Sequence, residues 1–338
     1  MSGSRQLKLA ARPVGDIKDT DFELVEVPVP SPGEGEFVVE VSHISLDPAM
    51  RGWMNKGRSY VPPVEIGEVM RALTIGRVIA SRHDGFAEGD LVQGTFGVCE
   101  HAVSDGAGVH KLPDDGGGVP LPAYLGALGM TGLTAYFGLL DVGKLEDGNT
   151  VLVSGAAGAV GTAVGQIARI KGAARVVGVA GGAEKCRLLV DELGFDGAVD
   201  YKAGNLMGDL RSATPDYVDV FFDNVGGEIL DLGLTRIACG ARIVICGAVS
   251  QYNNTAPMQG PSNYMSLLVS RASMTGFVVF DYAKRYGEAI AEMAGWLAAG
   301  KLRNVEDTVQ GDLADFPETL RKMFRGENTG KLVLELAH

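Results

Sequence analysis

Apolar and polar positions change their rhythm twice along the 338 residues. Between residues 22 and 120 the apolar residues come in short β-rich runs, at 37–46, 75–81, 90–94 and 98–103. These runs are broken by Pro28-Val29-Pro30, Pro32-Gly33, Pro62-Pro63 and Gly89, a punctuation that predicts a compact, barrel-like β domain without a strong helix. Residues 121–140, LPAYLGALGMTGLTAYFGLL, form one long apolar segment that reads as a buried helix interrupted at Gly129 and Gly132. Its glycines and Pro122 suit a core connector between domains better than a membrane span. From Thr150 strand and helix patterns alternate. Strands are expected at 151–153, 175–180, 197–201, 218–223, 241–249 and 274–280, and helices after the first strand and at 183–193, 228–238 and 283–299. Six strands with intervening helices predict an α/β fold, a doubly wound parallel sheet. A last strand at 332–336 is expected to return to the β domain. The domains are therefore 1–122 with 301–338, and 123–300 between them.

The stretch TVLVSGAAGAVGTAVGQIARIKG, residues 150–172, carries the clearest chemistry. A buried apolar run is followed by Gly155, Gly158 and Gly161, and then Val160, Ala163, Val164, Ile167 and Ala168 recur at helical spacing. A strand, a glycine turn and a helix N-terminus together bind a dinucleotide pyrophosphate, because backbone can approach the phosphates and the helix offers free N–H groups. Small residues at such a junction also serve packing alone, so the triplet needs its context. NAD-specific sites carry an acid about 20 residues after the turn, for the ribose hydroxyls. Here the second strand ends at Ala180, followed by Gly181 and Gly182, with no acid at its tip. Lys185, with Arg187 nearby, offers a cation where a 2′-phosphate would lie. The two cations alone would suit a solvated helix face; with the acid missing, they favour NADP.

Charge and composition narrow the rest. Thirty basic against 42 acidic residues give a net charge of −12, with no basic cluster. Nucleic acid and anionic membrane surfaces are therefore not expected as partners. No signal-peptide-like apolar core opens the chain, and no run of 18 apolar residues occurs. Cys99, Cys186, Cys239 and Cys246 are too dispersed for a disulfide framework, which fits a reducing cytoplasm. His43, His83, His101, His110 and His338 form no HExxH and the cysteines no CxxC, so no metal site is expected. Ser154 lacks the GxSxG frame of an acyl-transfer nucleophile.

Taken together, the motifs resemble the zinc-independent medium-chain dehydrogenases/reductases, in the branch of the prostaglandin, alkenal and curcumin reductases. The resemblance covers nearly the whole chain. It rests on LDPAMRGWM (46–54), PPVEIGEVMRA (62–72), MTGLTAYFGL (130–139), AAGAVG (156–161), FFDNVGGE (221–228), ICGAVSQYN (245–253), GFVVFD (276–281) and GENTGK (326–331). It implies a GroES-like β-barrel domain made from both chain ends, a Rossmann domain between them, NADPH bound in the cleft, and a homodimer. Gly158, Ala159, Val160 and Gly161 should meet the pyrophosphate, and Lys185 and Tyr201 the 2′-phosphate. Asn224, at the end of the fourth strand, lies where ligands of open α/β sheets collect. Cys246, Gly247, Ala248, Val249, Ser250, Gln251 and Tyr252 should line the nicotinamide half, with Phe277, Val278, Val279 and Asn328; Met130 is expected beside them. Zinc-containing relatives carry Gly-His-Glu where this chain reads Gly67-Glu68-Val69, which agrees with the metal-free branch.

Members of this branch reduce the carbon–carbon double bond of α,β-unsaturated carbonyls with NADPH. Hydride adds to the β-carbon, and charge develops on the carbonyl oxygen, which needs a hydrogen-bond donor. Tyr252, after the fifth strand, and Tyr60, before Pro62-Pro63 on a β-domain loop, are the candidate donors, since a phenol donates without ionising. The cofactor ribose hydroxyl is an alternative. The loop at 253–264, NNTAPMQGPSNY, is expected to shape the substrate pocket. Two other readings stay open at this point: a quinone reductase of the same superfamily, and an NADPH-binding protein without turnover.

Overall fold

The computed structural model describes residues 3–114 and 116–337. The chain divides into two compact units. One comprises Met1–Leu125, Asp307–Glu327 and Lys331–His338; the other comprises Gly126–Glu306 with Asn328–Gly330.

The first unit is a GroES-like β domain. Its seven-stranded sheet runs Glu306–Gly311, Lys331–Leu336, Phe37–Ser45, Thr74–Ser81, Leu91–Gly94 and His110–Lys111, with His101–Ser104 also paired to Phe37–Ser45. A two-stranded antiparallel ribbon, Gly3–Leu9 with Phe22–Pro28, forms a second sheet and is bonded to residues 98–100, just before His101–Ser104. Phe37–Ser45 is buried along almost its whole length, including the polar His43 and Ser45, as a strand in the middle of the sheet. The C-terminal strand returns as expected and pairs antiparallel with it, Leu334 opposite Ile44. Leu9, Ile44, Leu46, Met50 and Phe316 fill the interior behind this pairing, and the Phe22 ring meets Phe316 edge-on at 5.9 Å. One five-residue helix, Ala49–Trp53, interrupts the β region.

The second unit is a Rossmann fold. Its strands are β1 (Thr150–Ser154), β2 (Arg175–Ala180), β3 (Gly197–Asp200), β4 (Val218–Asp223), β5 (Ile237–Ile245) and β6 (Ser273–Gly276). They lie in the order 3-2-1-4-5-6, and every pairing is parallel. The α-helices after them are α1 (Ala159–Ile170), α2 (Ala183–Arg187), α3 (Leu206–Ala213), α4 (Gly227–Gly233), α5 (Met265–Ser270) and α6 (Tyr286–Ala298). The strand order reverses between β1 and β4, so a crevice for ligands opens beyond their carboxyl ends. Val151, Leu152 and Val153 are wholly buried, since a parallel strand under helices has two apolar faces to cover. Helix α1 packs close to the sheet because Gly165 and Gly178 leave room for the Phe195 ring. A Cβ on Gly165 would lie 1.9 Å from that ring, and one on Gly178 would lie 3.0 Å from it.

Several elements differ from the sequence pattern: the helices expected at 183–193 and 228–238 end as α-helices at Arg187 and Gly233, and three further differences bear on the site. The connector is a 3-10 turn, Leu121–Tyr124, followed by a helix, Met130–Phe137, that starts after Gly129. Gly132 therefore lies inside that helix rather than breaking it, and the need for glycine there is steric: a Cβ would sit 1.9 Å from the Ala127 carbonyl oxygen. Strand β5 runs from residue 237 and stops at 245 rather than 249; at its end the amides of Cys246 and Gly247 both donate to the Asp223 carbonyl, at 2.9 and 3.3 Å. Strand β6 stops at Gly276, and a 3-10 turn, Val279–Arg285, precedes α6.

Gly165→Ala is expected to cost about 1–3 kcal/mol through overpacking against Phe195, read as a lowered denaturant midpoint at unchanged slope; an unchanged midpoint would mean that α1 is not held against the sheet at this contact.

Candidate functional site

The turn from β1 into α1 is built from backbone. Gly155 has φ +57°, which favours glycine. A Cβ on Gly161 would lie 2.3 Å from the Gly155 carbonyl oxygen. Gly158 is the N-cap of α1 and offers no side-chain cap, so the first-turn N–H groups of a twelve-residue helix are left for a ligand, with the positive end of its dipole behind them. Residues 158–161 are thus a backbone cradle suited to a pyrophosphate.

A tripeptide from near the C-terminus lies against this turn. The Gly330 amide donates to the Ala157 carbonyl at 2.7 Å, and Gly330 bridges to Gly158. Only glycine fits there, with φ +68° and a Cβ position 2.1 Å from the Val305 carbonyl oxygen. The Asn328 side-chain amide donates to the Gly330 carbonyl at 3.0 Å, and the Lys185 ammonium donates to the Asn328 carbonyl at 2.5 Å. The structure therefore brings Lys185, Asn328 and the glycine turn together.

The tip of β2 carries no acid of its own. Asp200, at the end of β3, turns its carboxylate to backbone and accepts from the Gly182 and Lys202 amides at 2.8 and 2.9 Å. Tyr201 is partly exposed, and its ring lies so close to Gly181 that a Cβ there would be 2.8 Å from it. Lys185 is on the first turn of α2. An ammonium and a phenol at an acid-free strand tip suit a 2′-phosphate.

Beyond β4 and β5 lies a hydrogen-bonded knot that sequence reasoning missed. Asp223, wholly buried, accepts from the Ser154 hydroxyl at 2.6 Å and from the Gly226 amide at 2.9 Å. Burial raises its pKa, against the hydrogen bonds from Ser154 and two amides, which lower it. Ser154 in turn accepts from the Asn224 amide, and its carbonyl accepts from the Asn224 side chain at 2.7 Å. The only sequence signal was an acid at the end of an apolar strand. In the next loop Gln251 closes a turn on Ala248, Ser250 donates to the Val225 carbonyl, and the Ala248 amide donates to the Tyr252 hydroxyl oxygen at 3.1 Å. An accepted N–H polarises the phenol without using its proton. Burial pushes the Cys246 thiol up to about 12, so it stays protonated at neutral pH.

Tyr286, also missed, joins two expected residues. Its hydroxyl donates to the Val279 carbonyl at 3.0 Å and reaches the Met130 sulfur at 3.8 Å. Phe277 meets Phe222 edge-on at 6.4 Å, and Val278 caps the 3-10 turn that follows. Tyr60 belongs to the other unit. It is 52% exposed and accepts from the Trp53 indole at 3.4 Å.

Among the described residues no group of three or more His, Cys, Asp or Glu is placed to hold a metal ion. Glu68 accepts from the Glu65 amide at 2.9 Å and closes a turn. His43 and His101 hydrogen-bond Ser42 and Ser4; His338 lies outside the described residues.

Two family models match the chain: the N-terminal domain of oxidoreductase over residues 5–112 and zinc-binding dehydrogenase over residues 159–295. The chain is 41% identical to the NADPH-dependent curcumin reductase of Escherichia coli, over 99% of this chain and 97% of the relative. It is 38% identical to the NADP(+)-dependent 2-alkenal reductase of Nicotiana tabacum, over 98% and 97%. The crystal structure of CurA from Vibrio vulnificus in complex with NADPH superposes with a TM-score of 0.92 at 41% identity, covering 99% of both chains.

Proposed function

As the chain belongs to the medium-chain dehydrogenase/reductase family, we propose that it is an NADPH-dependent reductase of the carbon–carbon double bond of α,β-unsaturated ketones and aldehydes. The observation that carries this reading is the end-to-end match to curcumin and alkenal reductases. The acid-free tip of β2 with Lys185 on α2 supports NADP over NAD.

When bound, the nucleotide supplies a hydride for the substrate β-carbon. The chain's own residues do the rest. The backbone of Gly158, Ala159, Val160 and Gly161 holds the pyrophosphate, and Lys185 and Tyr201 hold the 2′-phosphate. Asn224, the loop from Cys246 to Tyr252, Met130, residues 277–279 and Asn328 orient the nicotinamide. Where negative charge develops on the carbonyl oxygen, the phenol of Tyr252 would donate a hydrogen bond, with Tyr60 the other candidate donor. The α-carbon then takes a proton from solvent, which completes the addition of two hydrogens across the double bond. Tyr252 is suited to this donation because the Ala248 amide already occupies an acceptor site on its oxygen.

We also infer a homodimer in a reducing cytoplasm. Strand β6 is an edge strand whose four residues are all exposed, and beside it Leu268 and Val269 are 69% and 73% exposed. An open edge of this kind pairs readily with a second copy. All four cysteines are free.

Tyr252→Phe, under saturating NADPH and a medium-chain enone, is expected to lower kcat by about tenfold or more, and Tyr60→Phe by less; full turnover in both variants would remove them as oxygen donors. Lys185→Met is expected to raise the KM for NADPH by about tenfold or more while leaving that for NADH unchanged, the size of one charge-assisted hydrogen bond. A wild-type preference for NADH would defeat the cofactor assignment. Light scattering at twice the 35.4 kDa chain mass, and recovery of the protein in the cytoplasmic fraction of its cells, check the assembly and compartment.

A further inference from the structure

The Ser154–Asp223 pair touches neither of the groups just assigned to the oxygen donor or the 2′-phosphate, yet both side chains are wholly buried. A buried carboxylate is costly unless its partners require it. The Asp223 carboxylate accepts from the Ser154 hydroxyl at 2.6 Å, from the Gly226 amide at 2.9 Å and, at the long end of the range, from the Val225 amide at 3.3 Å. Ser154 accepts from the Asn224 amide at 2.8 Å. The same two residues use their main-chain carbonyls for the neighbouring segments: Ser154 for the Asn224 side chain, and Asp223 for the Cys246 and Gly247 amides. One residue further on, the Asn224 carbonyl accepts from Val249, and the Val225 carbonyl accepts from the amide and hydroxyl of Ser250. The end of β1 and the loop after β4 therefore meet at one carboxylate, and the loop that carries Tyr252 is hung on the main-chain carbonyls of the residues this carboxylate fixes, 223 to 225.

From this geometry we infer that Asp223 and Ser154 form a positioning pair, which fixes Asn224 and the Cys246-to-Tyr252 loop in the arrangement the reduction requires. The inference rests on the reductase reading of the site. The chemistry at Asp223 admits only a group with acceptors and no donor, because every partner of its two oxygens is a donor. An amide of the same shape fails in either orientation. With its NH2 toward Gly226, two donors face each other. With its NH2 toward Ser154, the hydroxyl loses its acceptor and the Val225 amide faces a donor. The glycine turn, although Gly155 lies beside Asn224 and Val225, has bonds of its own, from Ala156 to Val179, Gly158 to Gly155 and Gly330 to Ala157. Loosening the pair therefore displaces the reacting end of the site and leaves the phosphate end in place. A misplacement of about 1 Å at a reacting centre costs roughly a hundredfold in rate.

The test compares the wild type with Asp223→Asn, Ser154→Ala and the double variant. The number and affinity of NADPH sites are read by nicotinamide fluorescence, kcat per site with a medium-chain enone, and hydrogen exchange of residues 224–227 and 246–252 without nucleotide. Each single variant is expected to bind NADPH within about threefold of the wild type, to lose about tenfold or more in kcat per site, and to exchange faster in both segments; the double variant should lose no more than the worse single one. Wild-type kcat per site in Asp223→Asn, unchanged exchange, or losses that multiply in the double variant would each overturn the pairing. If Asp223→Asn does not fold, Ser154→Ala, which removes one hydroxyl, carries the same comparison. Should the wild type bind NADPH and reduce no enone, the reductase reading fails, and the exchange pattern alone decides whether the pair holds the two loops.

Discussion

The phosphate end of the site in the second unit depends on two stretches of backbone coming into contact where β1 passes into α1. At Gly161 a Cβ would lie 2.3 Å from the Gly155 carbonyl oxygen and 2.6 Å from the Ala156 Cα, so any side chain there drives the helix away from the strand. Contact at this point sets where α1 begins. It sets how α1 lies on the sheet at Gly165, and it leaves the helix N-terminus facing outward with its amides uncommitted. The same constraint recurs at Gly330, which reaches the Ala157 carbonyl only because it carries no side chain.

Around that bare backbone, the polar interior is fully paired: among the described residues every buried side-chain nitrogen and oxygen has a hydrogen-bond partner. In the β domain Lys331 is 1% exposed, and its ammonium is satisfied by the Leu46 carbonyl at 2.7 Å and the Asp47 carboxylate at 2.8 Å. Removing one partner would leave a buried charge alone, which is why such pairs matter more when broken than when made. In the Rossmann unit Arg236 is held by Thr214 and lies over the Tyr217 ring at 4.4 Å. Both units use charged groups internally only where geometry supplies every donor or acceptor.

Much of the fold was legible because parallel strands under helices leave an unmistakable pattern: continuous apolar runs such as those of β1 and β4, separated by amphipathic helices. The glycine turn was legible for the same reason, since no other residue type meets its conformational demand. What stayed hidden depended on partners far away in sequence. Nothing local says that Gly132 faces the Ala127 carbonyl, that β5 ends where two amides turn to Asp223, or that Tyr286 bonds Val279 and touches Met130, 156 residues distant. Asp223 stood in plain view at a strand end, but its role is defined by Ser154, 69 residues earlier. Tyr60 and Tyr252 came to notice through the reduction's need for a hydrogen-bond donor and their places before Pro62-Pro63 and after the fifth strand, since their surroundings in sequence are otherwise those of ordinary loop aromatics.

The pairing of Lys331–Leu336 with Phe37–Ser45 also bears on how the protein is made. The Lys331 side chain bonds a carbonyl 285 residues away, so the β domain, although most of its strands precede the Rossmann sheet, lacks an interior strand until residues 331–336 have been made. The Rossmann sheet is continuous in sequence, and its six strands emerge before that strand does. Synthesis therefore reverses the order of assembly: the unit translated second has its full set of strands first, while the apolar interior of the earlier one waits for residues 331–336.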